Sequence, residues 1–422
     1  MKLHRTLVLA IIETLQQIFV EGTYADKAVE QVLKQNSRWG SRDRRFIAET
    51  TYEMVRWWRT ISESFSPTGN NDNALNSSSK ETEIQNSSAY YYKLFATWQI
   101  MKGLELPEWI EFTGIDKKRI LENFKQAKLI PKYRESIPDW LDNIGTNQLG
   151  QTVWENELHE LNKEAQVVLR VNTLKTTAQE LQKKLLAQNI TVETIANPSV
   201  LWEDVKESAF IVKRQHLFHL DEYKKGLFEL QDASSQLIAY FLQLQGGMTV
   251  IDACAGAGGK SLHIAAMMNN KGKIISMDVE DRKLTELKKR AVRAEAHIIQ
   301  TELITAGTVD KYKNSADRLL LDVPCSGLGV IRRNPDAKWK LNLDFINKIK
   351  KTQQDIICNY SQMLKPGGIM VYATCSILPG ENENQVEQFL KSHVGKFELL
   401  HDRKVLPTEG FDGFYMAAIK KL

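Results

Sequence analysis

Apolar residues in the first part of the chain recur every three or four positions, as Leu7, Ile11 and Leu15 do. This spacing places them on one face of an α-helix. Similar stretches continue to about residue 128 and are interrupted by residues 66–88, which are polar and low in complexity and are predicted to form a loop. The pattern predicts an all-α domain over residues 1–138.

The pattern changes in residues 139–230. Short apolar runs at 167–171, 191–195 and 209–212 have the length and composition of strands, and residues 176–188 have the spacing of a helix. This mixture predicts a small α+β domain over residues 139–230.

Residues 231–422 alternate apolar runs with amphipathic stretches. The runs predicted to be strands are 249–253, 273–277, 318–323, 369–374 and 415–419. Continuous apolar runs suit strands that are buried on both faces, and their alternation with helices indicates a largely parallel, doubly wound sheet. The sequence therefore predicts a Rossmann-like α/β domain over residues 231–422.

Composition adds only broad limits. The 422-residue chain has a formal net charge of +4, which is compatible with nucleic-acid binding but does not require it. Its four cysteines, Cys254, Cys325, Cys358 and Cys375, show no Cys-x-x-Cys spacing and are too sparse for a disulfide framework. No apolar run reaches the length of a membrane span. We therefore expect a cytoplasmic protein with no metal site and no membrane attachment. We also expect a monomer, although nothing in the composition fixes the oligomeric state.

A glycine-rich stretch, DACAGAGGKS, joins the first predicted strand of this domain to a helix. Gly256, Gly258 and Gly259 let the backbone approach a ligand closely, and the helix N-terminus favours negative charge. One candidate ligand is a nucleotide phosphate, because CAGAGGKS nearly matches G-x-x-x-x-G-K-[ST], with Cys254 in place of the first glycine. The other is S-adenosylmethionine, which Asp278 favours because an acid at the end of the second strand can bind a ribose. The third interpretation of this stretch is a tight turn that binds no ligand.

Two cysteines follow predicted strands, Cys325 in DVPCSG and Cys375 in ATCS. The carboxyl ends of parallel strands meet at one edge of a sheet, so both thiols are expected on the side of the glycine-rich loop. A thiolate can add to carbon 6 of cytosine, and carbon 5 then becomes nucleophilic enough to take a methyl group. Asp322 is placed to donate a hydrogen bond to cytosine N3. The alternative is that both cysteines are small buried apolar residues.

Six stretches of the chain carry a family resemblance: WGSRDRRFIAETTYEMVRWWR, LRVNTLK, QDASSQL, DACAGAGGKS, DVPCSGLGVIRRNPDAKW and YATCSILPGENENQV. They resemble motifs of the Sun/NOL/NOP family of RNA cytosine-C5 methyltransferases. The first is similar to the NusB-like helical domain of the bacterial 16S ribosomal RNA methyltransferase B type, and LRVNTLK resembles the start of the family's small RNA-binding domain. The resemblance implies a class I methyltransferase fold for residues 231–422, S-adenosylmethionine as cofactor and ribosomal RNA as substrate.

The resemblance also implies roles for single residues. Cys375 would be the nucleophile, Cys325 would assist release of the methylated product, and Asp322 would contact the donor or the reacting base. The implied donor-binding residues are Cys254, Ala255, Gly256, Ala257, Gly258, Gly259, Lys260, Asp278, Glu302 and Asp322. The chain departs from the family in two places. Its loop reads Ala-Gly-Ala-Gly-Gly-Lys instead of Ala-Ala-Pro-Gly-Gly-Lys, and Glu302 stands where the family has an Asp after the third strand.

Basic residues beyond the Cys325 motif suggest an RNA surface, and we expect Arg332, Arg333 and Lys338 to contact RNA. Residues 38–59 interleave arginines with three tryptophans, a composition that suits stacking on single-stranded RNA and equally suits a helical core. Three other functions remain open: transfer RNA cytosine-C5 methylation, a non-catalytic role in ribosome assembly, and P-loop nucleotide hydrolysis.

Overall fold

The computed structural model describes residues 3–66, 87–195, 209–213, 215 and 217–422. Nearly all of the polar stretch 66–88 lies outside these residues, so the loop expected there stays a prediction. The chain divides into two compact units, one formed by residues 1–162 and 333–343 and the other by residues 163–332 and 344–422. The first unit thus extends past residue 138, where the sequence analysis sets a domain boundary.

The first unit is helical wherever the structure describes it. Its helices are Arg5–Phe19 (α1), Ala25–Gln35 (α2), Ser41–Arg56 (α3), Trp58–Phe65 (α4), Ser88–Met101 (α5), Lys117–Ala127 (α6), Pro131–Arg134 (α7), Asp139–Leu149 (α8), Gln151–Leu161 (α9) and a short helix, Ala337–Lys340. The apolar positions of α1, such as Ile11 and Leu15, are buried in the core of this unit, as their spacing predicts. Trp58 stacks on Phe19 with 3.8 Å between ring centroids, so this tryptophan belongs to the helical core.

Residues 333–343, here called the strap, belong to this first unit. Lys338 in the strap is only 1% exposed. Its ammonium donates hydrogen bonds to the carbonyls of Arg56, Glu135 and Ser136 and to Oδ1 of Asn162. Burial lowers the pKa of Lys338 well below its ordinary value. The expectation that Lys338 contacts RNA is therefore corrected, because four protein oxygens already accept hydrogen bonds from its buried amino group.

The second unit begins with a small four-stranded sheet. Its elements are Val167–Val171 (β1), Ala178–Leu186 (α10), Val192–Thr194 (β2), Ala209–Val212 (β3), Asp221–Lys224 (α11) and Phe228–Leu230 (β4). The strand order is β2-β3-β1-β4, and every neighbouring pair is antiparallel. Helix α10 begins at a capping box in which Thr177 and Glu180 bond each other's backbone amides. The α+β character predicted for this region is confirmed.

The rest of the second unit surrounds a seven-stranded sheet. Its elements are Ala233–Phe241 (α12), Thr249–Asp252 (β5), Gly259–Met267 (α13), Lys273–Asp278 (β6), Asp281–Ala294 (α14), Ile299–Leu303 (β7), Thr308–Lys311 (α15), Ala316–Asp322 (β8), Leu343–Tyr360 (α16), Leu364–Thr374 (β9), Glu383–Ser392 (α17), Phe397–Val405 (β10) and Phe414–Lys421 (β11). The strand order is β10-β11-β9-β8-β5-β6-β7, and β5 to β9 are parallel. This confirms the Rossmann-like prediction, because the carboxyl ends of five parallel strands meet at one edge.

The apolar pattern does not predict the two edge strands of this sheet, β7 and β10. Strand β10 is the more polar of the two. It pairs with β11 at the edge of the sheet, and most of its residues are exposed or half-buried. Its sequence, FELLHDRKV, includes four charged residues. An edge strand needs no continuous apolar run, because solvent covers much of its surface.

Candidate active site

The glycine-rich loop connects β5 to α13 at the carboxyl edge of the sheet. Gly258 has a left-handed backbone with φ of +87°, and a Cβ there would lie 2.5 Å from Cγ of Leu287. Ala255 N bonds the carbonyl of Met277 at 2.8 Å, which ties the loop to β6. The first-turn amides of α13 lie next to this loop and have no partner within the helix, as at any helix start. The loop therefore offers backbone donors and a positive helix end to an anionic group.

Asp278 joins the loop as the sequence predicts, whereas Glu302 makes other contacts. Asp278 is 7% exposed, and its Oδ2 accepts a hydrogen bond from Gly256 N at 2.9 Å. Glu302, one strand further out on β7, accepts hydrogen bonds from Lys311 Nζ at 2.6 Å and Tyr312 OH at 3.3 Å. The adenosine contact expected of Glu302 stays a prediction.

Lys260 and Asp322 form an ion pair between the loop and the end of β8. Lys260 Nζ donates to Asp322 Oδ2 at 2.6 Å. Burial opposes the charge of Lys260, but the Asp322 carboxylate outweighs burial and raises the pKa of the ammonium. Asp322 is thus placed beside the glycine-rich loop, and its carboxylate keeps Lys260 protonated there.

The two cysteines predicted to share the edge of the sheet meet directly. Cys325 follows β8, Cys375 follows β9, and their Sγ atoms are 3.2 Å apart. The hydrogen bond with Cys375 and burial raise the pKa of the Cys325 thiol well above its ordinary value. Cys325 therefore keeps its proton and can donate it in a hydrogen bond to the Cys375 sulfur.

A buried carboxylate joins the two cysteine loops. Glu381 is 0% exposed and accepts hydrogen bonds from both neighbouring serines, from Ser326 Oγ at 2.5 Å and from Ser376 Oγ at 2.6 Å. Its other oxygen accepts from Ser326 N at 2.8 Å and from Gln353 Nε2 at 3.1 Å. The serine after each cysteine thus binds the same acid, which fixes the two thiols relative to each other.

The backbone around Cys375 is also held by a close approach of two glycines. Gly329 N donates to the carbonyl of Cys375 at 2.9 Å. A Cβ on Gly329 would lie 2.1 Å from the carbonyl oxygen of Gly413 and 2.8 Å from that of Cys375. Any side chain at position 329 would therefore displace the backbone that carries the thiol.

Two family models match parts of this chain. The family model for 16S rRNA methyltransferase RsmB/F matches residues 239–420, and the model for the RsmF/B-like ferredoxin-like domain matches residues 137–201. The probable ribosomal RNA small subunit methyltransferase B of Synechocystis sp. is 30% identical over 402 residues, which cover 90% of this chain and 87% of that protein. The chain belongs to the RsmB/F family of 16S rRNA methyltransferases. The ribosomal RNA small subunit methyltransferase B of Pasteurella multocida is 33% identical over 310 residues, covering 70% of this chain and 64% of the relative.

Solved structures agree with the fold. PH0851 superposes with a TM-score of 0.79 and 21% identity over 100% of both chains. NSun6 from Pyrococcus horikoshii with SFG has a TM-score of 0.60 and 21% identity, over 68% of this chain and 99% of its own. Membership of the RsmB/F family makes the chain an S-adenosylmethionine-dependent RNA methyltransferase. The glycine-rich loop fits this donor, because glycines without Cβ atoms lie beside a helix N-terminus that can receive its carboxylate.

Asp252, at the end of β5, lies next to the glycine-rich loop and is not among the site residues predicted from the sequence. It is 1% exposed, and its Oδ2 accepts a hydrogen bond from Ser261 Oγ at 2.6 Å. Burial, helped by the charge of Asp322, raises the pKa of Asp252 to about 7. Burial and three carboxylates likewise raise the pKa of the Cys254 thiol well above its ordinary value, so this loop thiol is a poor nucleophile.

The structure corrects the RNA contact expected of Arg332. This side chain is 4% exposed and donates to the carbonyls of Pro407 at 3.1 Å and Gly410 at 3.3 Å, beside the buried Asp412. It holds the turn before β11 and is not available to a phosphate. Arg333 is half-buried, so its expected contact with RNA stays a prediction.

The sequence also predicts that the chain has no metal site and no membrane-spanning segment. Within the described ranges, no group of three or more His, Cys, Asp or Glu side chains is arranged to hold a metal ion. Among the helices that the structure describes, none is both long enough and apolar enough to cross a membrane.

Proposed function

We propose that the chain methylates carbon 5 of a cytosine in 16S ribosomal RNA, with Cys375 as the nucleophile. The observation that carries the proposal is the 3.2 Å contact between the sulfurs of Cys375 and Cys325 beside the Lys260–Asp322 pair. A methyltransferase that acts on an exocyclic nitrogen or a ribose oxygen has no need for a thiol at this edge. Two thiols fit a reaction that forms and then breaks a bond to carbon.

The residues divide the steps of this reaction. The Cys375 thiolate adds to carbon 6 of cytosine, and the electron pair of the 5,6 double bond becomes available at carbon 5. S-adenosylmethionine, when bound, would supply the methyl group for that carbon, and the broken sulfur–methyl bond would leave S-adenosylhomocysteine. A base then removes the carbon-5 proton, the 5,6 double bond re-forms, and the Cys375 sulfur leaves carbon 6. Cys325, which keeps its proton, assists this release.

Other residues hold the reactants. Asp278 and the loop 254–260 bind the donor, with Glu302 as a further contact to its adenosine. Asp322, held by Lys260, faces the donor or the cytosine ring. Because the reacting cytosine must leave any base stack to reach Cys375, the target is an unpaired or flipped base.

We infer that the helical unit is NusB-like and that it and the small domain β1–β4 bind RNA. The arginines of the helical unit differ in their exposure and in their hydrogen bonds. Arg44 donates three hydrogen bonds to backbone carbonyls of its own unit, whereas Arg38 and Arg42 are exposed. We therefore propose Arg38 and Arg42 as phosphate contacts, and we retain Arg333 because it follows the Cys325 motif.

Bisulfite sequencing of RNA from a strain that lacks the gene tests this function. We expect one cytosine of 16S rRNA to lose its protection, to regain it when the wild-type gene is restored, and to stay unprotected with Cys375→Ala. Loss of protection in a transfer RNA instead would refute the ribosomal substrate. If no RNA changes, a non-catalytic role in ribosome assembly would replace the proposal.

A further inference from the structure

Two arginines hold backbone carbonyls of the glycine-rich loop. Arg170, on β1 of the small domain, is 3% exposed and donates from Nη1 to the carbonyl of Gly259 at 2.7 Å. The same nitrogen also donates to Oε1 of Gln231. Arg290, on α14, donates from Nη1 to the carbonyl of Ala257 at 2.8 Å. Two carbonyls of one loop are thus bound by guanidinium groups from two separate elements.

A buried acid next to Arg170 in the small sheet binds Arg290. Glu229 on β4 lies directly opposite Arg170 in the small sheet and is 3% exposed. Its carboxylate accepts from Arg290 at 2.8 Å and from Arg293 at 2.5 Å. Burial opposes the charge of Glu229, but the two arginines outweigh burial and lower the pKa of its carboxyl. Arg170 and Glu229 of the small domain thus form one charged cluster with Arg290 and Arg293 of α14, and Arg170 and Arg290 bond the loop.

The geometry of the peptide bond connects the Arg170 hydrogen bond to a backbone amide that could bind the donor. In a trans peptide the C=O and the following N–H point in opposite directions. Drawing the Gly259 carbonyl toward Arg170 therefore turns the Lys260 N–H away from Arg170. That amide lies in the first turn of α13, which is the part of the loop that offers unpaired donors to an anion.

We propose that Arg170 is a positioning residue for S-adenosylmethionine, acting with Arg290 and Glu229 from behind the loop. The donor site is then built by two domains, and its affinity depends on a strand of the small domain. This inference requires donor binding alone. It can therefore stand or fail separately from the cytosine chemistry.

The test is calorimetric titration of S-adenosylmethionine into the full chain without RNA. We expect Arg170→Met to weaken donor binding about tenfold or more, because a charged hydrogen bond to the loop is lost. Arg170→Lys, which keeps the charge, should recover part of this loss. Glu229 keeps Arg290 and Arg293 in both variants, so no buried carboxylate is left unpaired.

Arg318→Met is the matched control. Arg318 also donates to backbone carbonyls, those of Leu242 at 2.6 Å and Gln243 at 3.3 Å, but these lie at the end of α12 and not in the loop. We expect its donor affinity to equal that of the wild type. In turnover assays, Arg170→Met should raise KM for the donor while kcat at saturating donor changes by no more than about threefold.

Two results would overturn the inference. One is wild-type donor affinity in Arg170→Met. The other is an equal loss of affinity in Arg318→Met, which would indicate general destabilisation. If Arg170→Met does not fold, Arg290→Met tests the same loop from α14, and unchanged donor affinity there would also overturn it.

Discussion

Replacing Glu381 by alanine removes the acid that joins the two cysteine loops. Four buried donors bond this carboxylate, two from Ser326 and one each from Ser376 and Gln353. In Glu381→Ala these donors lose their acceptor, and each buried unpaired donor costs about 1–3 kcal/mol. With some recovery from water entering the space, we expect the free energy of unfolding to fall by about 4 kcal/mol.

Glu381→Gln removes the negative charge and keeps nearly the same side-chain shape. Its amide can turn the NH₂ group toward the two serine hydroxyls, which can also accept, and keep its carbonyl toward Ser326 N and Gln353 Nε2. All four hydrogen bonds then survive without the negative charge. Because charged hydrogen bonds are roughly twice as strong as neutral ones, we expect a loss of about 2 kcal/mol.

Urea unfolding of the full chain and initial rates of methyl transfer measure both effects. We expect the rate to fall about tenfold in Glu381→Gln and about 100-fold in Glu381→Ala, as the thiols lose their fixed separation. Glu387→Ala on α17 is the control, because its carboxylate is 63% exposed and its ion pair with Lys391 is a surface pair. If Glu381→Ala matched Glu387→Ala in stability and rate, the argument that this acid orders the site would be wrong.

Three further predictions follow from single contacts. Gly329→Ala should abolish most methyl transfer, because its Cβ would meet the backbone of Gly413 and Cys375. Gly40→Ala should behave as wild type, because the nearest atom to its Cβ is Asp43 Oδ2 at 4.0 Å, an ordinary contact. The pKa of Asp252, raised to about 7, means that the folded protein favours the neutral acid, so this group costs stability as pH rises from about 4 to about 7. Asp252→Asn should remove that part of the pH dependence, so the change in its unfolding midpoint between pH 5 and pH 8 should differ from that of the wild type. An equal change in both proteins would contradict this. Lys338→Met should lower the unfolding midpoint but leave the salt dependence of RNA binding unchanged. Arg42→Ala should reduce the slope of log binding constant against log salt concentration by about 0.7. A reduced slope for Lys338→Met would show that Lys338 contacts RNA after all.

The sequence predicts the donor loop and the cysteine pair because both follow from local rules. Strands β5, β8 and β9 each contain an apolar run near the carboxyl end, and parallel strands end at a common edge. The residues just after those strands are therefore expected at one edge of the sheet, and the Sγ atoms of Cys325 and Cys375 lie 3.2 Å apart there.

The side chains that fix this site could not be read from the sequence in the same way. Lys338 looks like a surface lysine, but its ammonium bonds the carbonyl of Arg56, 282 residues away along the chain. Arg332 and Arg170 likewise bind carbonyls of distant segments. A charged residue in a sequence does not show which backbone oxygen the fold will bring to it, so burial of such groups becomes visible only in three dimensions.

Covalent trapping on RNA tests the central claim most directly. If Cys375 attacks the base and Cys325 assists release, Cys325→Ala should accumulate a protein–RNA adduct that survives a denaturing gel. Cys375→Ala and the double variant should form none. An adduct that forms in Cys375→Ala but not in Cys325→Ala would exchange the two roles, and no adduct in any variant would contradict the covalent mechanism.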